Sequence, residues 1–167
     1  MIRDAEESDA ESVRAIYAPS VTDMAVSFEL EVPTVDEMAR RISAAEPDYP
    51  WLVSEAEGEL LGYAYARPFH TRAAYRFSVE ITVYVRASST GRGIGRELIE
   101  TLLVDLRRRG YAQAFAGIAL PNPASVRVFE ACGFAHVGTF REVGYKLERW
   151  HDVGWWQRAI ATFVPES

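Results

Sequence analysis

Cysteine is nearly missing from this chain. Cys132 is the only one among 167 residues, so no disulfide can form within the chain, and its neighbours Ala131 and Gly133 offer no metal-ligand spacing. A reducing compartment and the absence of a metal site are expected. Long apolar runs are also missing. No stretch approaches the ~18 residues that cross a bilayer, and the first residues, MIRDAEESDAE, are acidic where a secretory leader would be apolar. The protein is therefore expected to be cytoplasmic, with no membrane partner. A basic excess is lacking too: 24 Asp and Glu stand against 18 Lys and Arg, a net charge of -6. Without a broad positive surface to neutralise phosphates, nucleic acid is not an expected partner. Arg92, Arg96, Arg107, Arg108 and Arg109 nevertheless cluster in one short stretch, a local asymmetry that would suit an anionic ligand.

What remains is an ordinary globular composition, 49% hydrophobic and 25% charged, at a length usual for one domain. A single domain over residues 1–167, without repeats or low-complexity linkers, is expected. A short first strand is followed by two helices. Ser8 with Glu11 and Thr34 with Glu37 both read as capping boxes, the first opening a helix with Val13, Ile16 and Tyr17 on one face. The second helix runs to about Ala45 and is ended by Pro47. Trp51 to Glu55 and Glu59 to Ala66 read as a hairpin with a tight turn. From Ser78 to Val85 the alternation is strict, with Val79, Ile81, Val83 and Val85 on one side and Glu80, Thr82 and Tyr84 on the other. A glycine-punctuated loop at Thr90 to Gly95 launches a helix ended by Gly110. A strand over Ala112 to Ile118, a helix over Asn122 to about Ala131, and strands over Phe134 to Thr139 and Val153 to Ile160 complete the pattern. Hairpins mixed with strand–helix units imply a mixed α/β sheet.

Gly91, Gly93 and Gly95 let backbone N–H groups approach a phosphate closely, and the helix start that follows carries partial positive charge. The loop lacks the ending of a P-loop, and its spacing is not that of dinucleotide folds; on its own it is equally a tight turn. Its surroundings are more specific. Thr82-Val83-Tyr84-Val85 followed by Thr90 to Leu98 resembles motif A of the GNAT superfamily of N-acetyltransferases, and Pro121 to Phe134 resembles that superfamily's motif B. Tyr49 to Val53, Gly62 to Ala66, Val79 to Val85 and His151 to Gln157 look like the phosphinothricin and methionine sulfoximine acetyltransferases, so the resemblance covers nearly the whole chain.

The resemblance implies a mostly antiparallel sheet of about six to seven strands with about four helices, and a V-shaped split between strands four and five that admits acetyl-CoA. It implies acetyl transfer to a small amino-acid-like amine, and a homodimer. Val83, Tyr84, Val85, Gly91, Arg92, Gly93, Ile94, Gly95, Arg96, Asn122, Ser125 and Phe129 are the cofactor-binding positions it suggests. Arg92 and Arg96 are expected to reach the phosphates, with solvated helix-start residues as the alternative. Asn122 and Ser125 are equally suited to capping their helix. Two departures stand out. Thr90 replaces the long polar residue that opens the superfamily's phosphate signature. Phe129 stands where many relatives carry a tyrosine or histidine near the departing sulfur, and it cannot donate a proton.

An amine must lose its proton before it can attack an acyl carbon, and at neutral pH most of it is protonated. Glu80, on the polar face of the fourth strand, matches the family's glutamate and is the expected base. Desolvation by Trp51 or Tyr84 is expected to bring its pKa toward neutrality. The loop Arg72-Ala73-Ala74-Tyr75-Arg76 is the expected carboxylate grip, with Arg76 foremost and Arg72 and Tyr75 beside it. Thr82 and Phe28 are expected to shape the acceptor pocket, although Phe28 also reads as core. Trp150, Trp155 and Trp156 read as packing or dimer contacts, and His151 and Asp152 as structural. A polyamine, an aminoglycoside or a protein N-terminus as acceptor, and a non-catalytic acyl-CoA-binding module, are the rival readings.

Overall fold

The computed structural model describes residues 1–45 and 47–163. One seven-stranded sheet forms its centre, built from β1 (Ile2–Asp4), β2 (Trp51–Ala56), β3 (Glu59–Pro68), β4 (Ser78–Val85), β5 (Gln113–Leu120), β6 (Ala135–Lys146) and β7 (Arg149–Ala159) in the order β1-β2-β3-β4-β5-β7-β6. Every neighbouring pair is antiparallel except β4 with β5. α1 (Ala10–Thr22) and α2 (Val35–Ala45) cover one face; α3 (Ile94–Arg108) and α4 (Pro123–Ala131) cover the other. The mixed, mostly antiparallel sheet with four helices expected from the sequence is present.

Alternation along the strands separates the two cores. Val79 and Ile81 are buried with Leu98, Leu102 and Leu106 of α3, whereas Trp51, Val53 and Tyr63 pack with Val13, Ile16, Met38 and Ile42 of α1 and α2. On β3 the contrast is steep. Gly62, Ala64 and Ala66 alternate with Tyr63 and Tyr65, which stack with Trp51 at centroid distances of 5.8 and 4.2 Å. The small side lets α3 lie close, and the large side builds an aromatic floor.

The helix ends follow familiar chemistry. Glu37 N–H donates to Thr34 Oγ1 at 3.1 Å, so the second capping site is as expected. The first is not. Ser8 lies inside a 3-10 turn, and Asp9 takes the capping part by accepting from Glu6 N–H at 2.8 Å. Asp9 is chosen because Arg3, on β1, grips both its oxygens at 2.8 and 2.9 Å, a tie between elements that a local pattern cannot reveal. Gly110 and Gly133 have φ of +90° and +83° and end α3 and α4 with Tyr111 N–H to Leu106 O and Phe134 N–H to Phe129 O bonds, both 3.1 Å.

The last two strands depart most from expectation. The sequence pattern breaks them at Thr139 and resumes at Val153, yet β6 and β7 pair out to Lys146 opposite Arg149. The two residues between them, Leu147 and Glu148, both have positive φ, +52° and +60°, the geometry of a two-residue hairpin turn. Neither is a usual turn former, and a register shift between Phe140 and Gly144 interrupts the alternation. Both features hide the hairpin from a reading by pattern.

Gly62 sits where a Cβ would come 2.8 Å from the backbone oxygen of Tyr84 and 3.3 Å from a Leu98 methyl. Gly62→Ala is expected to lower stability by about 1–3 kcal/mol through overpacking, read as a lower denaturant midpoint at unchanged slope; an unchanged midpoint would show that β3 and α3 separate freely.

Candidate active site

The site begins where two strands part. β4 and β5 pair only over Ser78–Glu80 and Gln113–Phe115, although β4 continues to Val85 and β5 to Leu120. Arg86 N–H donates to Leu61 O at 2.8 Å, which fixes the alternation along β4. Even-numbered residues direct their backbone groups to β3, so those of Val83 and Val85 point across the gap toward β5. A strand edge of free donors and acceptors inside a cleft is suited to an extended amide-bearing ligand, which would complete the ladder there.

At the mouth of this cleft the chain turns into α3. Gly91 and Gly93 have φ of +76° and +82°, and a Cβ on either would meet nothing within 4 Å. Glycine is required there by conformation rather than by crowding. Gly93 is the helix N-cap, and the first intrahelical bond is donated by Glu97 to Gly93 O at 3.0 Å. The N–H groups of Ile94, Gly95 and Arg96 therefore precede the ladder and face outward with the positive end of the helix dipole. A Cβ on Gly95 would make ordinary contact with Val85 Cγ2 at 3.4 Å and Val128 Cγ2 at 3.7 Å, so this residue faces β4 and α4. These residues fit a diphosphate followed by an extended amide arm, the chemistry of coenzyme A.

Arg92 is exposed beside the loop. The Arg96 Nε donates to Glu100 Oε1 at 2.8 Å one turn along α3. Asn122 caps α4, its side-chain oxygen accepting from Ser125 N–H at 3.1 Å. Phe129 is buried in the α3–α4 core, edge-on to Phe134 at 5.2 Å.

On the opposite face of the sheet the same split opens a cavity of about 1400 Å³. Glu80, Thr82 and Tyr84 of β4 line it, as do Tyr65 and Arg67 of β3, Phe115 and Gly117 of β5, Trp155 of β7, and Phe28 and Glu29 from the α1–α2 loop. Glu80 is 14% exposed and accepts from Arg67 Nη2 at 2.7 Å. Its surroundings combine this ion pair with Trp51 and Tyr84, which line the same cavity. Glu29 carries the second ion pair, with Arg41 Nη2 at 2.6 Å, and also accepts from the Tyr17 hydroxyl. Burial alone would raise the Glu29 carboxyl, but Arg41 and Tyr17 outweigh it and hold it below the usual range. Burial pushes the phenols of Tyr63, Tyr65 and Tyr84 up, and burial together with Glu29 does the same for Tyr17. All four are neutral at physiological pH, and Glu29 and Glu80 supply the carboxyl side chains of the lining.

Phe28 is a wall residue, its ring pressed on Gly144 so closely that no Cβ fits there and tilted against His151 at 6.1 Å. Arg72 and Arg76 are exposed and outside the cavity. Arg76 donates to Ala73 O at 3.3 Å and lies over the Phe77 ring at 4.4 Å; Tyr75 stands behind Phe69 and His70 at the rim. The arginine brought to Glu80 is Arg67, its direct neighbour across β3 and β4, which sequence reasoning passed over. Only the register of β3 against β4 sets it opposite Glu80. Of the tryptophans, Trp156 is core, Trp155 lines the cavity and Trp150 is exposed against Tyr145. His151 bonds Lys146 O at 2.8 Å and does not pair with Asp152, which binds Arg141 at 3.6 Å and Glu142 N–H.

Known proteins share this architecture. Residues 2–155 match the model of the Acetyltransferase (GNAT) domain. The chain is 41% identical to a phosphinothricin N-acetyltransferase of Streptomyces viridochromogenes, over 98% of this chain and 90% of that one. It is 33% identical to an L-methionine sulfoximine/L-methionine sulfone acetyltransferase of Salmonella typhimurium, over 93% and 92%. Among solved structures, a GNAT superfamily phosphinothricin acetyltransferase from Sinorhizobium meliloti in complex with acetyl-CoA superposes with a TM-score of 0.91 at 36% identity, covering 95% of this chain and 87% of that one. A parted β4–β5 pair, a glycine-led helix at its mouth and a sequence match along nearly the whole chain place this protein in the GNAT acetyltransferase family.

Proposed function

We propose that the protein transfers the acetyl group of acetyl-CoA directly to the amino group of a small amino-acid-like acceptor, such as phosphinothricin or methionine sulfoximine, with Glu80 as general base. The observation that carries this reading is the position of Glu80: it lines the cavity and stands on the strand whose free edge lines the cleft. Val83 and Val85 would hold the pantetheine arm through their backbone groups. The N–H groups from Gly91 to Arg96, with Arg92, would hold the diphosphate, and Asn122, Ser125 and Phe129 would flank the arm from α4. Bound acetyl-CoA supplies the acyl group as a thioester whose C–S bond breaks as the amide forms. Glu80 takes a proton from the acceptor's ammonium, through contact or one water, so that the free amine attacks, and coenzyme A leaves as the thiolate. Thr82, Tyr84 and Phe28 shape the space for the acceptor. Direct transfer is supported by the state of Cys132, the only thiol, which is buried, lies outside the cavity lining and has its pKa pushed up by burial.

A homodimer belongs to the same reading. Val137, Phe140, Val143 and Tyr145 of edge strand β6, with Leu147 and Trp150, are each more than half exposed, and several of them also line the cavity. A second copy covering this patch would finish the acceptor pocket. Sedimentation is expected to give twice the chain mass at micromolar concentration, and Phe140→Glu with Trp150→Glu is expected to give the single chain; a monomeric native protein would remove this part of the proposal.

Two measurements test the chemistry. Calorimetry should show 1:1 binding of coenzyme A that Gly93→Val abolishes, because a β-branched residue resists positive φ; folded native protein that binds no coenzyme A would refute the assignment. With methionine sulfoximine, phosphinothricin and spermine assayed side by side by thiol release, the first two are expected to turn over. Glu80→Gln should lower kcat about 10²-fold at pH 7, with a smaller loss at pH 9 to 10, where the acceptor is already deprotonated. The sign follows from the amine: raising the pH supplies the free base that Glu80 otherwise generates. A pH profile parallel to the native one would discard Glu80 as base.

A further inference from the structure

Strand register sets three side chains in one row on the cavity face: Arg67 on β3 opposite Glu80 on β4, and Glu80 beside Phe115 on β5. Strands lie about 4.8 Å apart, so the row spans about 10 Å. Its two ends differ in kind. Arg67 is 57% exposed in its side chain and gives one N–H to Glu80, while a guanidinium carries five donors in a fork that suits a carboxylate. Phe115 lies at the apolar end, stacked on Phe69 at 4.1 Å, with Trp155 edge-on to Phe69 at 6.1 Å. The space there is made by Gly117, over which the Trp155 ring lies so closely that a Cβ would sit 3.0 Å from it.

Resting on the transferase reading above, we infer that this row is the frame that orients the acceptor, with carboxylate on Arg67, amine on Glu80 and an apolar side chain along Phe115, Phe69 and Trp155. The acceptor class is then an α-amino acid with a free carboxylate and a side chain of thioether or benzyl size. A zwitterionic amino acid complements the Arg67–Glu80 pair charge for charge, so neither protein group is left bare when the ligand enters. The amine is central in the row because its neighbours on either side carry the two other substituents of the α-carbon.

The test compares L-phenylalanine, its decarboxylated analogue phenethylamine, and glycine as acceptors. Native enzyme is expected to favour phenylalanine over phenethylamine about 10²-fold in kcat/KM, the order expected when a site's polar group loses its partner. Arg67→Met should bring that ratio near one, mainly through KM, and Arg67→Lys should fall between, because a point charge replaces the fork. Phe115→Ala should lower kcat/KM for phenylalanine about tenfold more than for glycine. Thermal melts and coenzyme A binding of each variant separate these effects from misfolding. Retention of the native phenylalanine-to-phenethylamine ratio in Arg67→Met, or an equal loss for phenylalanine and glycine in Phe115→Ala, would overturn the frame while leaving the transferase reading standing. Absence of turnover with every amine by the native protein would overturn both.

Discussion

The separation of β4 from β5 after three paired residues is the constraint on which the rest of this structure depends. Within a sheet, an unpaired strand edge costs free energy unless something bonds to it. Here the edge is retained inside the molecule, at Val83 and Val85, with α3 and α4 covering one side and the aromatic cavity opening on the other. One interruption of a hydrogen-bond ladder thus creates a slot for an extended amide chain and places Glu80, the last paired residue of β4, at its inner end.

The neighbouring elements are shaped to keep that gap open. Gly62, Ala64 and Ala66 let α3 press close to β3, and Gly95 at the start of α3 faces Val83, Val85 and Val128. The helix is anchored beside the cleft, and its free N–H groups are delivered to the mouth. On the other face, bulk is used instead of smallness: Trp51, Tyr63, Tyr65 and Tyr84 form a continuous aromatic floor. Two ion pairs, Arg41 with Glu29 and Arg67 with Glu80, place balanced charge in the cavity. Lys146 ties the α1–α2 loop to the β6–β7 hairpin through Ser27 O at 2.6 Å and Ser20 O at 3.4 Å, and so holds Phe28 and Glu29 in place. Balanced pairing matters because an isolated charge in such a space would be costly, whereas a paired one can exchange partners with a zwitterion.

The arginines show how chemistry and position diverge. The sequence displays Arg72 and Arg76 in a loop next to the fourth strand, which by proximity along the chain makes them the natural grip. In space, Arg76 lies on Phe77 and Arg67 takes the place beside Glu80. Likewise Arg96, adjacent to the glycine loop in sequence, turns along its own helix to Glu100, because residues four apart on a helix face each other. In each case the side chain follows the geometry of its own element rather than its distance along the chain from the site.

The sequence by itself determined the mixed sheet, four helices, the glycine turn before α3 and the polar face bearing Glu80. These rest on local physics: period-two alternation, helix capping at Thr34, and positive φ at Gly91 and Gly93, each set by residues close along the chain. Tertiary structure alone decided that Asp9 rather than Ser8 begins the first helix, because its partner Arg3 arrives from another element. It alone decided that β6 and β7 form one long hairpin through Leu147 and Glu148, where packing overrides turn propensity. It also set Arg67 against Glu80, since register across β3 and β4 is a relation between strands that no single stretch of residues encodes.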